Sequence, residues 1–253
     1  DSVVISGLKS LSSTPEGKEI IRNSISKNKD GSITIKFNGI DKEYNITKKE
    51  LKKASLSYIS ETDEKGKVKK FEKKFSKGDG DTLAFEVAFE KYCNDVENGV
   101  VARHKNVPLP VTKVSDDGDI LFSDCPISSF YYLMTGNMPS SFNSVSEKND
   151  NIDTIYSKAS INKFIRDFSG NPDKYAAQIK LKDTDNNKMR VRDKHFVLRD
   201  LKTNKKYAIT KIDEKYVTLS DTSKTRKKVN IPISAIRDNI EYLNYVGINE
   251  SKQ

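Results

Sequence analysis

The chain has 253 residues, 35% hydrophobic and 32% charged, with 45 Lys and Arg against 36 Asp and Glu for a net charge of +9. That length suits one large domain or two small ones with a real core, and the gathering of apolar residues into periodic runs excludes disorder over most of it. Cys93 and Cys125 are the two cysteines, enough for one disulfide at most and without the spacing of a metal knuckle. No run approaches the length of a membrane span and no secretory leader is present, so no transmembrane segment is expected. The start at Asp1, without Met, reads as that of a fragment, and the compartment is not legible. Lys far outnumbers Arg and the charges alternate in sign, the pattern of a solvated surface. Readers of nucleic acid carry Arg-rich stripes or stacking aromatics, so a basic binder of nucleic acid or of an anionic surface is kept only as an alternative.

Val4, Ile5, Leu8 and Leu11, then Ile20, Ile21 and Ile25, recur at helical spacing on either side of a break at Thr14-Pro15-Glu16-Gly17. Thr14 is a good N-cap with Pro15 at the first helical position, and Gly17 is tolerated near the start. Residues 27–31 then read as a turn, and residues 32–37 alternate with period two. Asn38-Gly39 is a strong hairpin signal, and residues 42–46 return as its second strand. Thr47 caps a short helix over 48–54. Residues 60–80 read as a solvated loop with one helical turn at Phe71 to Phe75. Asp81-Thr82 caps an amphipathic helix whose apolar side is Leu83, Phe85, Val87, Ala88, Phe89 and Tyr92.

Residues 107–122 carry Pro108 and Pro110, an alternating run at Val111 to Val114, and the acidic turn Ser115-Asp116-Asp117-Gly118-Asp119. That turn lacks the ligand spacing of an EF-hand loop and reads as a hairpin. Residues 126–136 form a helix stopped by Gly136. Residues 140–150 read as polar and mobile, and Ile161 to Phe168 as one more amphipathic helix, ended by Ser169-Gly170-Asn171-Pro172. Short β-type runs follow at 175–181, 195–201, 206–212, 216–220 and 228–231. A helical piece over 232–242 closes on Leu243-Asn244-Tyr245-Val246. Helices first and antiparallel strands after make an α+β arrangement, with a helical lobe carrying a β-hairpin over 1–170 and an antiparallel β lobe over 171–253.

The opening run Asp1-Ser2-Val3-Val4-Ile5-Ser6-Gly7-Leu8 resembles the motif of calpain-like cysteine proteases, in which an Asp-Cys-Trp triplet opens the central helix. Ser2 then stands at the position of the nucleophilic Cys and Val3 at that of the Trp. Three further stretches are similar to that family: the Ala-Phe-Glu-Val-Ala-Phe-Glu-Lys-Tyr helix at 84–92, the Tyr-Leu-Met-Thr-Gly helix end at 132–136, and Lys205-Lys206-Tyr207-Ala208-Ile209 against its His-Ala-Tyr strand. The resemblance implies a papain-like, two-lobed fold with an active site in the cleft between the lobes.

A papain-like enzyme needs a thiolate activated at a helix N-terminus, an imidazole base and an Asn to orient it. The resemblance puts Ser2, Lys205 and Asp221 at those positions, so every catalytic type is replaced, and the chain contains no Trp. An engineered Cys to Ser change accounts for Ser2 alone. The reading is of a degenerate calpain-like pseudoprotease that acts as a binding or regulatory module toward a protein or peptide. Calcium is implied only by the family, and the family's oxyanion-hole Gln falls upstream of Asp1. Two active alternatives are weaker. A Ser2–Lys205 dyad needs a Lys pKa depressed by burial, which the polar run at 202–206 opposes. A displaced dyad of His195 or His104 with Cys93 or Cys125 lacks a cysteine at a helix start, and both cysteines read as small packing residues.

Overall fold

The computed structural model describes residues 2–62, 64–75, 79–102, 111–114, 120–123, 127–143, 152–181, 188–191, 194–197, 206–221 and 228–248. Helices α1 (Ser2–Leu11) and α2 (Pro15–Asn23) are followed by strands β1 (Ile25–Lys27), β2 (Ile33–Lys36) and β3 (Glu43–Ile46), then α3 (Lys48–Ser55). Next come β4 (Tyr58–Thr62), β5 (Val68–Lys73), α4 (Gly80–Glu97), β6 (Val111–Val114), β7 (Ile120–Ser123), α5 (Ile127–Thr135) and β8 (Ser140–Asn143). The rest is α6 (Ile152–Gly170), β9 (Tyr175–Leu181), β10 (Lys188–Val191), β11 (Lys194–Val197), β12 (Lys206–Ile212), β13 (Tyr216–Asp221), β14 (Lys228–Pro232), α7 (Ile233–Asn239) and β15 (Ile240–Gly247). The fold is mixed α+β, and the strand pairs in it are antiparallel.

The chain forms two compact units, residues 1–5 with 21–136 and residues 6–20 with 137–253. The compositional boundary expected at Gly170 falls inside the second unit, between α6 and β9.

In the first unit α4 is the central element. Every residue from Leu83 to Phe89 is buried, Glu86 included, so this helix is enclosed on more than the single apolar side expected of it. Its cap is Asp79, whose side chain accepts from Thr82 N at 2.9 Å, two residues earlier than the Asp81-Thr82 cap expected. Tyr44 on β3 donates to Asp95 Oδ2 at 2.9 Å and Lys42 reaches the same oxygen at 2.6 Å, pinning the hairpin to α4. Burial first, and then the Asp95 carboxylate, hold the Tyr44 phenol well above its ordinary range.

Strands β2 and β3 pair as expected, but the Asn38-Gly39 signal has another use. Gly39 N donates to Leu133 O at 2.9 Å and Asn38 Nδ2 to Met134 O at 2.8 Å, so the loop satisfies carbonyls left open at the end of α5. A Cβ on Gly39 would lie 2.5 Å from the Tyr132 carbonyl oxygen, which explains the glycine by close approach. Gly136 stops α5 at φ 72°, as the sequence predicts.

Several expectations are corrected. Ile25 lies in β1 and not in the second helix, because Ile25 pairs with Ile35 on β2. Residues 60–80 hold no helical turn at Phe71: β4 and β5 form a ribbon in which Ser60 faces Phe71 and Glu61 faces Lys70. Such a ribbon can be wet on both sides, so it shows little apolar alternation. Residues 140–143 are strand β8, held on β15 by main-chain pairing that composition does not reveal. The closing helix ends at Asn239, and Ile240 onward is strand. The acidic turn at 115–119, residues 144–150 and the expected strand residues 198–201 lie outside the described residues.

The second unit is built on a sheet in the order β14-β13-β12-β9-β15-β8. One face carries Ala177, Ile179, Tyr207, Ile209, Leu219 and Leu243 against Phe164 and Phe168 of α6 and Ile236 of α7. Phe164 and Tyr245 rings lie 4.7 Å apart, and Tyr175 joins them. Thr14 caps α2 through Gly17 N at 2.9 Å, and the turn is tight enough that a Cβ on Gly17 would sit 1.9 Å from Leu11 O. Gly17 is therefore required where the sequence shows it only as tolerated.

Two measurements check this account. Gly17→Ala should lose about 3 kcal/mol in chemical denaturation, while Gly80→Ala, with nothing near its Cβ, should change stability by less than about 1 kcal/mol. Asp79→Ala should cost about 1 kcal/mol at pH 7. The Thr82 main-chain hydrogen bond holds the Asp79 carboxyl below its ordinary value, so the folded pKa lies under the unfolded one. The cap's contribution is therefore complete above the unfolded value near pH ~3.9 and fades as pH falls through the folded one. The difference between parent and variant should shrink over that acid window, and Asp79→Asn should show no such window.

Candidate functional site

Ser2 opens α1, the position at which a helix presents unsatisfied N–H groups. Asp221 closes β13, directly opposite Tyr207 on β12. Lys205 lies outside the described residues, and β12 begins immediately after it. The antiparallel pairing of β12 and β13 thus brings the beginning of one strand and the end of the other to the same end of the sheet.

Asp221 is already engaged. Lys9 on α1 donates its Nζ to the Asp221 main-chain carbonyl. Burial pulls the Lys9 ammonium below its ordinary pKa, and the Asp221 charge opposes that shift. One turn back, Ser6 Oγ accepts from Gln178 Nε2 at 2.7 Å, with both side chains fully buried.

Gln178 belongs to a cross-strand row. Asn244 on β15 stands opposite it, Ala208 on β12 lies on its other side, and Ser220 on β13 follows. Residues directly opposite in a ladder share a face. This row is therefore the reverse of the face that meets α6 and α7, and it is polar and buried. The segment 6–11 of α1 lies on it with Ser6, Ser10 and Leu11 at zero exposure. Gln178 Oε1 has no hydrogen-bond partner among the described residues, so the seam is only half satisfied on that side chain. The periodicity of α1 names its apolar positions and misses these serines. The signal that could have found them is Ser6-x-x-x-Ser10, a second stripe at i, i+4.

Cys93 is a buried thiol on α4. His195 lies in β11 opposite Arg190, and His104 and Cys125 are outside the described residues. Among the described residues no group of three or more His, Cys, Asp or Glu side chains is placed to hold a metal ion, and no helix is long and apolar enough to cross a membrane.

Comparison with family models, with curated proteins and with solved structures finds no match to this chain.

Because Ser6 accepts from Gln178 Nε2 and Gln178 Oε1 has no partner among the described residues, Ser6→Ala should cost about 1–3 kcal/mol by removing the described hydrogen bond of a buried amide. Gln178→Leu added to Ser6→Ala should recover part of that loss. A double-mutant cycle read by denaturant unfolding should thus give strong coupling.

Proposed function

We propose that this chain is a calpain-like domain of papain-like fold that has lost its chemistry and acts by binding a protein or peptide. The observation that carries the reading is the pairing of β12 with β13, which brings the strand beginning after Lys205 and the strand ending at Asp221 to one sheet end. There α1, the helix that opens at Ser2, is tied to Asp221 through Lys9. The order of elements supports it as well: a helix whose start matches the family's nucleophile position, then a hairpin, a buried helix and an antiparallel sheet.

On this reading each position has changed its work. A serine at a helix start, unlike a cysteine, is not converted to its anion near neutral pH by the helix field. A lysine in the base position is protonated there unless deeply buried, and takes no proton from a hydroxyl. Asp221 spends its carbonyl and part of its charge on Lys9, so it serves as a structural tie between helix and strand.

The test has two arms. The folded protein should show no labelling of Ser2 by a fluorophosphonate and no turnover of fluorogenic peptides; a peptidase rate that disappears in Ser2→Ala would mean an active enzyme. Installing Ser2→Cys should create a thiol whose alkylation by iodoacetamide has its midpoint below the free-thiol value near pH ~8.5. Adding Lys205→His should move that midpoint lower again, as an imidazolium partner does. A midpoint that ignores Lys205→His removes the family reading.

A further inference from the structure

The outer part of the polar sheet face carries a concavity of about 570 Å³ over β12, β13 and β14. Its shape comes from a bulge. The β12 register slips between Ile209 and Lys211, so Thr210 and Lys211 both stand against Thr218. Thr210 Oγ1 is spent on Thr218 O at 3.3 Å, and Thr218 Oγ1 donates to Asn230 Oδ1 at 2.9 Å. That arrangement turns the Asn230 amide nitrogen into an available donor beside two ammonium groups, Lys211 and Lys228. Lysines at 27, 36, 42, 74, 91, 163 and 180 each meet a carboxylate within 4 Å, whereas no such ion pair forms at Lys211 or Lys228 among the described residues. Asp213 bears on Lys211 electrostatically, but its Oδ1 is occupied by the N–H groups of Lys215 and Tyr216.

We propose that this groove binds an acidic peptide segment in extended conformation, with carboxylates on Lys211 and Lys228 and a further acceptor on Asn230. The geometry sets a spacing. Lys211 and Lys228 are separated by two strand steps of about 4.8 Å and two residues of about 3.4 Å, which makes about 12 Å between their backbones. Two acidic residues four positions apart on an extended chain are separated by about 13 Å and point to the same side. The groove therefore selects Glu-x-x-x-Glu over adjacent acidic residues. Among the described residues its lining includes no Arg and no aromatic ring on which a base would stack, and Asp173 at its rim opposes a continuous phosphate backbone.

The test is fluorescence anisotropy at low salt with a fluorescein-labelled dodecapeptide of Ser and Gly carrying one Glu-x-x-x-Glu pair, against the same composition with the two Glu adjacent. The spaced peptide should bind several times more tightly. Lys211→Glu and Lys228→Glu should each weaken it at least fivefold, while Lys163→Glu, on the helix that covers the opposite face, should change it less than twofold. Both groove lysines are exposed, and circular dichroism should show the variants folded. Absence of binding, indifference to Glu spacing, or equal loss in Lys163→Glu would overturn the proposal. So would tighter binding of a twelve-residue oligothymidine that depends on the same two lysines.

Discussion

A sheet has two faces, and in the second unit of this protein they are covered by opposite means. The α6 and α7 side is closed by aromatic and aliphatic side chains, where burial of area alone supplies the stabilisation. The other side is a row of polar residues, Asn244, Gln178 and Ser220, beneath a helix that brings serines to meet them. There the area term is small, and the constraint is that each buried donor and acceptor must find a partner. Ser6 and Lys9 meet that requirement from α1, one by a side-chain pair and one by reaching a strand carbonyl. A helix held in this way is fixed in rotation as well as position, because turning it by one residue would break both contacts.

The elements that were legible in the sequence are those whose stability is local or periodic. Thr47 with Glu50 forms a capping box, Thr14 caps α2, and Gly136 ends α5, each on signals readable within a few residues. The strands over 175–181, 206–212 and 216–221 were visible because one face of each is apolar and buried. What escaped was tertiary. Strand β8 is Ser-rich and exists because β15 offers it a ladder. The β4–β5 ribbon mixes apolar, polar and charged residues without the regular alternation that marks a half-buried strand. Asn38-Gly39 carries a turn signature and is used to dock the end of another helix. For β8 and for Asn38-Gly39 the determining partner is distant in sequence.

Of the candidate site, the sequence supplied residue types and a family pattern; the seam beneath α1 came only from the fold. Gln178 is unremarkable in a strand of seven residues until its neighbours on both sides and Ser6 are placed around it. The half-satisfied amide is a cost that a packed interior normally avoids. Its retention fits a contact that fixes the register of α1 on the sheet, since polar contacts fix register where apolar packing allows slippage.

Charge tells the same story from the surface. A net of +9 spread over a Lys-rich chain suggests nothing specific, and most described lysines that meet a carboxylate do so at exposed sites where a pair contributes little. What distinguishes Lys211 and Lys228 is position: a bulge and a short edge strand place them around one concavity, beside an amide whose acceptor is already used. Exposed and about 12 Å apart, the two ammonium groups repel only weakly across salt solution, so the fold holds both at little cost. A groove bordered by two lysine ammonium groups and an amide donor has the physical equipment to hold an acidic chain by charge and hydrogen bonds.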